Sequence, residues 1–364
     1  MTEIKQTPLY AEHVRLGARM VPFAGWEMPL LYRGIITEHI YTREKVSLFD
    51  ICHMGEFALS GPAAEADLER LLTQSVASIP EGGCGYGYLL KEDGGVLDDL
   101  ICYRFGAEDF WLVVNASTAP GDAQWIKSHL SAKTVFRDLS AETAKLDIQG
   151  PLAREETERA LKIKLPDIKY YHFQRMEIAG ISCLLSRTGY TGEFGYELYL
   201  PVQHAVEVWR QLLAPGIILP AGLGARDTLR VEMGYPLYGH ELTEKNTPAG
   251  AAAGRKFIDL SKSFIGKEAV LRDLGNTSAM MLVGLRLEGR MAARAGDVIL
   301  EGEREIGKVT SGLFAPSLNV AVALGFVERQ FASIGRKLNV KSRGKILSAE
   351  VVKFPFYKKG TARR

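Results

Sequence analysis

The adjacent residues Asp98 and Asp99 lie inside a run of alternating apolar residues, VLDDLICY at 96–103. Successive side chains of a β-strand point to opposite faces, so Asp99 is expected to share one face with Ile101 and Tyr103. A carboxylate on an otherwise apolar face is costly to bury without a partner, and such a group can stabilise positive charge that develops during a reaction. The same pattern also allows one of the two acids to cap the adjacent turn while the other is solvated.

Two further segments combine charged, aromatic and glycine residues at close spacing. The first, SRTGYTGEFGYEL at 186–198, has glycines that let the backbone approach a flat or bulky ligand. Its polar and aromatic side chains are those of Arg187, Tyr190, Glu193 and Glu197. The second, within 221–239, contributes Arg226, Asp227, Arg230, Glu232 and Tyr235. Both segments are compatible with a ligand cleft and equally with buried ion pairs that hold a large body together.

The sequence contains none of the familiar motifs of nucleophilic or metal-dependent catalysis. Gly-x-Ser-x-Gly and His-Glu-x-x-His are absent, and a dinucleotide fingerprint that begins at Gly222 fails because Asp227 stands where the third glycine is needed. The four cysteines show no metal-ligand spacing and are expected to be small buried residues. No metal is therefore predicted, and any catalysis would depend on positioning and electrostatics.

The acidic pair is expected on the second strand of a hairpin, because two alternating stretches flank the turn residues 91–95. Tyr86 on the first strand would then face the same side as Asp99. The remaining pattern predicts a third strand at 111–117, helices in 9–20, 62–77, 122–130, 204–216 and 221–239, a strand, turn and helix in 145–162, and strands in 176–201. Residues 23–32, FAGWEMPLLY, are predicted to form a packed irregular loop.

The whole chain has the composition of a globular protein. Of its 364 residues 46% are apolar. The 45 lysines and arginines nearly balance the 43 aspartates and glutamates, so the chain has no large net positive charge that would attract nucleic acid. We see no signal peptide and no apolar run of membrane-spanning length, so we expect a cytoplasmic protein without a membrane partner. We also expect a monomer and, from the charge balance, no nucleic-acid partner. The elements predict an α+β body at 1–275 and an all-β barrel or sandwich at 280–364.

A series of motifs in order along the chain resembles the glycine cleavage T-protein family, the tetrahydrofolate-dependent aminomethyltransferases. Any one motif is weak evidence alone, whereas the series covers nearly the entire chain. It comprises TPLY, FAGWEMP, LFDICHMGEF, GGVLDDLICY, VVNAS, QGP, SRTGYTGEFGYELYLP, GLGARDTLRVEMGYPLYG, FIGKEA, TSGLFAPSL and the terminal PFY.

This resemblance implies a fold of three lobes, arranged as a cloverleaf around a central hole through which the folate threads. It divides the α+β body into a discontinuous lobe, residues 1–51 plus 140–275, and an inserted lobe, residues 52–139. The third lobe is the all-β region at 280–364.

The resemblance also implies roles for individual residues. Asp99 matches the essential carboxylate beside the reactive nitrogens of the folate, and Ile101 and Tyr103 share its face. The other residues that match folate-binding positions are Tyr86 as a stacking ring, Tyr190 and Glu197 around the pterin, and Arg226 and Tyr235 along the cleft. The basic tail KFPFYKKGTARR is expected near the folate glutamate.

The implied reaction moves a one-carbon unit from the aminomethyl-lipoyl group of an H-protein to tetrahydrofolate. Its products are 5,10-methylenetetrahydrofolate, ammonia and the dihydrolipoyl H-protein. The segment AAAGRKF at 251–257 departs from the family pattern, so a related demethylase or methyltransferase with a different one-carbon donor stays open. A non-catalytic folate-binding protein of iron–sulfur cluster maturation is a second alternative, although the region 222–239 lacks the cysteine of that group.

Overall fold

The computed structural model describes residues 4–251, 254–276 and 279–363. Across these ranges no helix is both long and apolar enough to cross a membrane. The strands are β1 (Lys5–Gln6), β2 (Arg19–Phe23), β3 (Trp26–Leu31), β4 (Ser47–Asp50), β5 (Gly55–Ser60), β6 (Gly83–Leu90), β7 (Val96–Arg104), β8 (Asp109–Val114), β9 (Val135–Asp138), β10 (Thr143–Gln149), β11 (Phe173–Ile178), β12 (Ile181–Ser186), β13 (Gly195–Pro201), β14 (Leu219–Pro220), β15 (Met280–Leu287), β16 (Val298–Glu301), β17 (Arg304–Ala315), β18 (Val320–Glu328), β19 (Lys337–Ser342) and β20 (Lys345–Val352). The helices are α1 (Tyr10–Arg15), α2 (Ile35–Glu44), α3 (Ala64–Leu71), α4 (Ala119–His129), α5 (Ala153–Leu161), α6 (Ala205–Leu213), α7 (Leu223–Met233) and α8 (Lys267–Gly275).

Two sheets form most of the α+β body. A six-stranded sheet has the order β11-β12-β13-β10-β4-β14, and a five-stranded sheet has the order β6-β7-β8-β5-β9. Each packs its own hydrophobic core against helices, α5 and α6 on the first sheet and α3 and α4 on the second. The division into 1–51 plus 140–275 and 52–139 stays a prediction, and these separate cores support it.

The C-terminal strands close into a barrel in the order β15-β18-β17-β16-β19-β20, with β15 paired to both β18 and β20. The prediction of an all-β region is confirmed, and the barrel rather than the sandwich is the form it takes. Closure removes the exposed edges that an open sheet of six strands would present.

Most predicted elements are confirmed because their side-chain patterns decide them locally. Helix α6 buries Ala205, Val208, Trp209 and Leu212, which follow the three- and four-residue spacing of one helix face. Helix α1 is shorter than the predicted span, since the chain turns at Gly17 and enters β2. The four cysteines are buried and free, as expected.

The prediction of an irregular loop at residues 23–32 is wrong. Strands β2 and β3 form a hairpin here, with Ala24 and Gly25 both at positive φ (51° and 82°) in the connection. Two consecutive residues at positive φ form a turn whose twist matches that of antiparallel strands. This turn allows a hairpin to form although the mixture of Gly, Trp and Pro is typical of loops.

Candidate functional site

A cavity of about 2190 Å³ opens where the two sheets, α7 and the barrel meet. Its walls come from all parts of the chain, including the barrel residue Leu313 and Arg363 near the C-terminus. Most of the site residues proposed from the sequence line it, namely Tyr86, Asp99, Ile101, Tyr190, Glu197, Arg226 and Tyr235.

The hairpin β6–β7 places Asp99 on the cavity wall. Tyr86 pairs with Ile101 and Tyr88 pairs with Asp99 in this hairpin, so the Tyr86 ring lies on the same face as Asp99, two residue pairs away. The Tyr86 hydroxyl donates to Asp99 Oδ2 at 2.8 Å, and Asn115 Nδ2 donates to Asp99 Oδ1 at 3.0 Å. Burial, followed by the neighbouring charge of Asp98, raises the pKa of Asp99 to about 7. The carboxyl is therefore held in place by two donors and changes its protonation state near neutral pH.

Asp98 points to the other face of β7, as the strand period requires, and is fully buried. Both of its oxygens accept hydrogen bonds from Asn115, one from the backbone N–H at 2.8 Å and one from Nδ2 at 2.7 Å. Neither acid caps the turn. Asp93 does so, with Oδ1 accepting the N–H of Gly95 at 3.0 Å.

Glu197 lies on β13 beside Asp147 and Lys145 of β10, on the face of the six-stranded sheet that borders the cavity. Its Oε2 accepts a hydrogen bond from the Thr188 hydroxyl at 2.7 Å and lies 3.8 Å from Lys145 Nζ. All of the contacts from described residues go to Oε2. The second oxygen, Oε1, remains available to a ligand with N–H donors.

An aromatic and cationic group also lines the cavity. The rings of Tyr190 and Tyr235 stack with centroids 5.7 Å apart and an angle of 25° between their planes. The Arg226 guanidinium lies over the Tyr190 ring, 5.0 Å from its centroid, and forms an ion pair with Asp147. Burial raises the pKa of Asp147, and the positive charge of Arg226 opposes this shift. The stacked rings and the guanidinium give this part of the cavity flat surfaces, against which a planar heterocycle can pack.

Tyr103 is the one proposed site residue that is not among the cavity-lining residues. It is fully buried, and its hydroxyl lies 2.9 Å from the hydroxyl of Tyr199 and 3.1 Å from Ser186 Oγ. It shares the face of β7 with Asp99, but at this end of the strand the six-stranded sheet covers that face. Tyr103 therefore packs behind Glu197 rather than beside a ligand.

The other charged residues of the two segments hold the body together. Glu193 accepts hydrogen bonds from Arg43 and from Thr361 of the C-terminal tail. Arg230 forms an ion pair with Glu241 at 3.0 Å and donates to Ser311 of the barrel at 2.8 Å. The simpler interpretation of buried ion pairs is thus correct for Glu193, whereas Arg230 forms such a pair and also lines the cavity.

The C-terminal tail runs along the cavity. The Ala362 N–H donates to the carbonyl of Gly192 at 3.1 Å, and Arg187 Nη2 donates to the Ala362 carbonyl at 2.9 Å. These bonds place two cationic side chains of the tail, Lys358 and Arg363, in the cavity lining.

Three lining residues with unusual surroundings were not singled out as site residues from the sequence. Asn115 joins the two acids, and Lys145 is buried against Glu197. His53 is 7% exposed, its Nδ1 has no hydrogen-bond partner among the described residues, and burial lowers its pKa to about 4. His53 and Asn115 lie in motifs that carry the family resemblance, but the local sequence pattern does not indicate a functional role for any of the three residues.

The divergent segment 251–257 also borders the cavity. Ala251, Gly254, Lys256 and Phe257 line it, whereas residues 252 and 253 lie outside the described residues. In the described part of the chain, no group of three or more His, Cys, Asp and Glu side chains is arranged to hold a metal ion.

Comparison with known proteins identifies the family. The GCVT N-terminal domain matches residues 9–262, and the glycine cleavage T-protein C-terminal barrel domain matches residues 281–358. An aminomethyltransferase of Desulforamulus reducens is 42% identical over 99% of this chain and 100% of its own length, and one of Thermotoga maritima is 41% identical with the same coverage. The crystal structure of glycine cleavage system aminomethyltransferase T from Bartonella henselae superimposes with a TM-score of 0.92 at 34% identity, covering 98% of this chain and 99% of that one. The chain belongs to the glycine cleavage T-protein family of aminomethyltransferases.

Proposed function

We propose that this aminomethyltransferase transfers a one-carbon unit from the aminomethyl-lipoyl group of an H-protein to tetrahydrofolate, and that Asp99 is its catalytic carboxylate. The products are 5,10-methylenetetrahydrofolate, ammonia and the dihydrolipoyl H-protein. One observation carries the proposal. Asp99 is a carboxylate held by two donors, with a pKa near neutrality, on the wall of a large cavity that aromatic, apolar and cationic side chains also line.

The cavity fits a reduced folate in size and chemistry. Its 2190 Å³ exceeds the usual range for small-ligand pockets, which leaves room for a long ligand together with a donor group. Tyr86, Tyr190 and Tyr235 offer flat surfaces to a pterin ring, and Glu197 Oε1 can accept from its amino-pyrimidine edge. Lys358 and Arg363 suit the carboxylates of a glutamate tail.

Tetrahydrofolate, when bound, supplies the nitrogen atoms that accept the one-carbon unit. Positive charge develops at the reacting centre as the amine leaves, and the carboxylate of Asp99 stabilises it. Tyr86 and Asn115 hold that carboxylate in one orientation, so little reorganisation is needed at the moment of reaction. The surrounding apolar walls, including Ile101, exclude water that would otherwise hydrolyse the reactive carbon.

The test is a transfer assay with purified protein, aminomethyl-loaded H-protein and tetrahydrofolate. We expect methylenetetrahydrofolate to form, and to disappear when the H-protein lacks its lipoyl group. Product formed only from a small methylamine or sulfonium donor would contradict the proposed donor and favour the related demethylase. Failure of tetrahydrofolate to bind at all would contradict the proposed co-substrate.

A further inference from the structure

The ring of Tyr86, whose hydroxyl donates to Asp99, packs against two other aromatic rings. Tyr88 lies two residues further along β6 and meets it edge to face, with centroids 5.4 Å apart and an angle of 80° between the planes. Phe257, at the end of the short helical turn Gly254–Phe257, meets it with centroids 4.6 Å apart and an angle of 65°. A tyrosine ring confined by neighbours at these distances keeps one side-chain rotamer, so the position of its hydroxyl is fixed.

Hydrogen bonds through Thr73 fix Phe257 relative to the hairpin that carries Tyr86. The Thr73 hydroxyl donates to the Phe257 carbonyl at 2.9 Å and accepts the backbone N–H of Tyr88 at 3.0 Å. The Thr73 carbonyl accepts the N–H of Asp259 at 2.8 Å, just beyond Phe257. The backbone of Phe257 is therefore tied to β6, and its ring presents a fixed surface to Tyr86.

We propose that Phe257 is a positioning residue, whose ring holds the ring of Tyr86 so that the Tyr86 hydroxyl stays directed at the catalytic carboxylate Asp99. Phe257 belongs to the segment 251–257, which departs from the family pattern and borders the cavity. The departure therefore bears on a residue that supports the reacting site. This inference rests on the proposed role of Asp99.

The hydrogen bond from Tyr86 also affects the charge of Asp99. It favours the ionised form and so opposes the rise in pKa that burial causes. If the Tyr86 ring loses its support, the hydroxyl is less often at Oδ2 of Asp99, and the carboxyl becomes less oriented and less ionised near neutral pH. The other titratable groups close enough to interact with Asp99 are the carboxyls of Asp98 and Asp122 and the hydroxyls of Tyr88, Tyr190 and Tyr238. A substitution at position 257 alters none of these groups, so a change in the pKa of Asp99 would report on the Tyr86 hydrogen bond.

The first test is a double-mutant cycle between Phe257→Leu and Tyr86→Phe, with kcat of the transfer reaction as the measured quantity. Leucine lacks the ring that contacts Tyr86, so Phe257→Leu should lower kcat about fivefold, a coupling of ordinary size for packed neighbours. In the Tyr86→Phe background there is no hydroxyl to position, so the same substitution should lower kcat by less than about twofold. An equal fold-loss in both backgrounds would overturn the proposal, because Phe257 would then act independently of the Tyr86 hydroxyl.

A conservative variant and a matched control separate positioning from general loosening of the hydrophobic cluster. Phe257→Tyr keeps the ring and should recover most of the activity that Phe257→Leu loses. Phe264 is buried in the same cluster, and no ring contact joins it to Tyr86 in the described part of the chain. Phe264→Leu should therefore lower the melting temperature and leave kcat unchanged. A kcat loss in Phe264→Leu equal to that of Phe257→Leu, or no recovery in Phe257→Tyr, would overturn the proposal.

The pKa of Asp99 in the folate-free protein gives a readout independent of activity. It can be measured by NMR titration of protein whose aspartates carry carbon-13 at the side-chain carboxyl, with Asp99→Asn identifying the resonance. Phe257→Leu should raise this pKa above its wild-type value of about 7, whereas Phe264→Leu should leave it unchanged. An unchanged pKa of Asp99 in Phe257→Leu would overturn the proposal.

The half-buried position of Phe257 favours folding of its variants. If Phe257→Leu does not fold, Phe257→Met, which also lacks the ring, takes its place in both measurements. An inactive wild-type enzyme with the expected change in the pKa of Asp99 would refute the proposed function and not the positioning of Tyr86.

Discussion

Asp99→Asn is the substitution that tests the site most directly, because asparagine has nearly the size of aspartate and can keep a hydrogen bond to each of the two neighbours of Asp99. The oxygen of an asparagine here can accept from Asn115 Nδ2, and its amide can donate to the Tyr86 hydroxyl, which accepts as well as donates. What disappears is the negative charge. We expect the transfer rate to fall about 100-fold or more, equivalent to about 3–4 kcal/mol in the barrier, while tetrahydrofolate still binds.

The matched control is Asp98→Asn, which changes the adjacent acid on the opposite face. Both oxygens of Asp98 accept N–H groups of Asn115, so an asparagine would set its own amide against one of these donors. A buried donor without an acceptor costs about 1–3 kcal/mol of stability. We expect this variant to unfold more readily and to lose about tenfold in rate through disturbance of Asn115.

The stability of Asp99→Asn should also depend on pH in a defined way. In the folded wild type burial raises the pKa of Asp99 from 3.8 to about 7, so the folded state binds more protons than the unfolded chain between these values. The contribution of Asp99 to the free energy of unfolding is therefore present at low pH and is lost as the pH rises through about 7. The loss is at most about 4 kcal/mol, because a tenfold difference in proton affinity between the folded and unfolded states corresponds to about 1.4 kcal/mol. Relative to wild type, the variant should gain stability between pH 5 and pH 8.

Steady-state rates and urea unfolding curves of both variants at pH 5 and pH 8 decide the matter. A fully active Asp99→Asn enzyme would refute the mechanism. A folded but inactive Asp98→Asn enzyme with an active Asp99→Asn counterpart would show that the roles of the two acids are reversed. A stability difference that does not change with pH would show that Asp99 is not held near a neutral pKa.

Three further predictions concern the cavity and its surroundings. Saturating tetrahydrofolate, at about 100 times its dissociation constant, should stabilise the protein by about 2.7 kcal/mol, and an unchanged melting temperature would contradict the binding site. Glu197→Gln should weaken tetrahydrofolate binding by about 1.5–3 kcal/mol in calorimetry, because a charge-assisted acceptor is lost. Glu193→Gln should instead lower stability without changing that affinity, since Glu193 binds Arg43 and Thr361, and equal affinity losses would mean that Glu197 has been misassigned. Tyr103→Phe should cost about 1 kcal/mol in unfolding free energy and leave tetrahydrofolate affinity within twofold, and a large affinity loss would place Tyr103 at the ligand after all.

Local pattern in the sequence was sufficient to predict the elements that carry the site. The two-residue period of β7 separates Asp98 from Asp99, and the structure places them on opposite faces as that period requires. The spacing of buried residues in α6 likewise follows from a single helical face. These features depend on backbone geometry over a few residues, which is why they are visible without the fold.

Tertiary structure alone decided which part of each face borders the cavity. Asp99 and Tyr103 share a face of β7, but the six-stranded sheet covers the end that carries Tyr103. The two-residue period of a strand predicts which face a side chain lies on. It does not predict which other segment of the chain packs against each part of that face. The same limit applies to the hairpin at residues 23–32, where pairing between strands outweighed a composition typical of loops.

Local sequence pattern also does not predict the contacts that complete the site. Asn115 contacts Asp98 and Asp99 from the end of β8, and Glu197 reaches the cavity from a different sheet. The segment 186–198 pointed to Glu197 as one of several polar residues and the family resemblance assigned it a place at the pterin, whereas Asn115 acquires its significance only when the chain folds. The physical reason is that hydrogen bonding and desolvation act through space over a few ångströms, and only the packing of distant segments brings these groups that close.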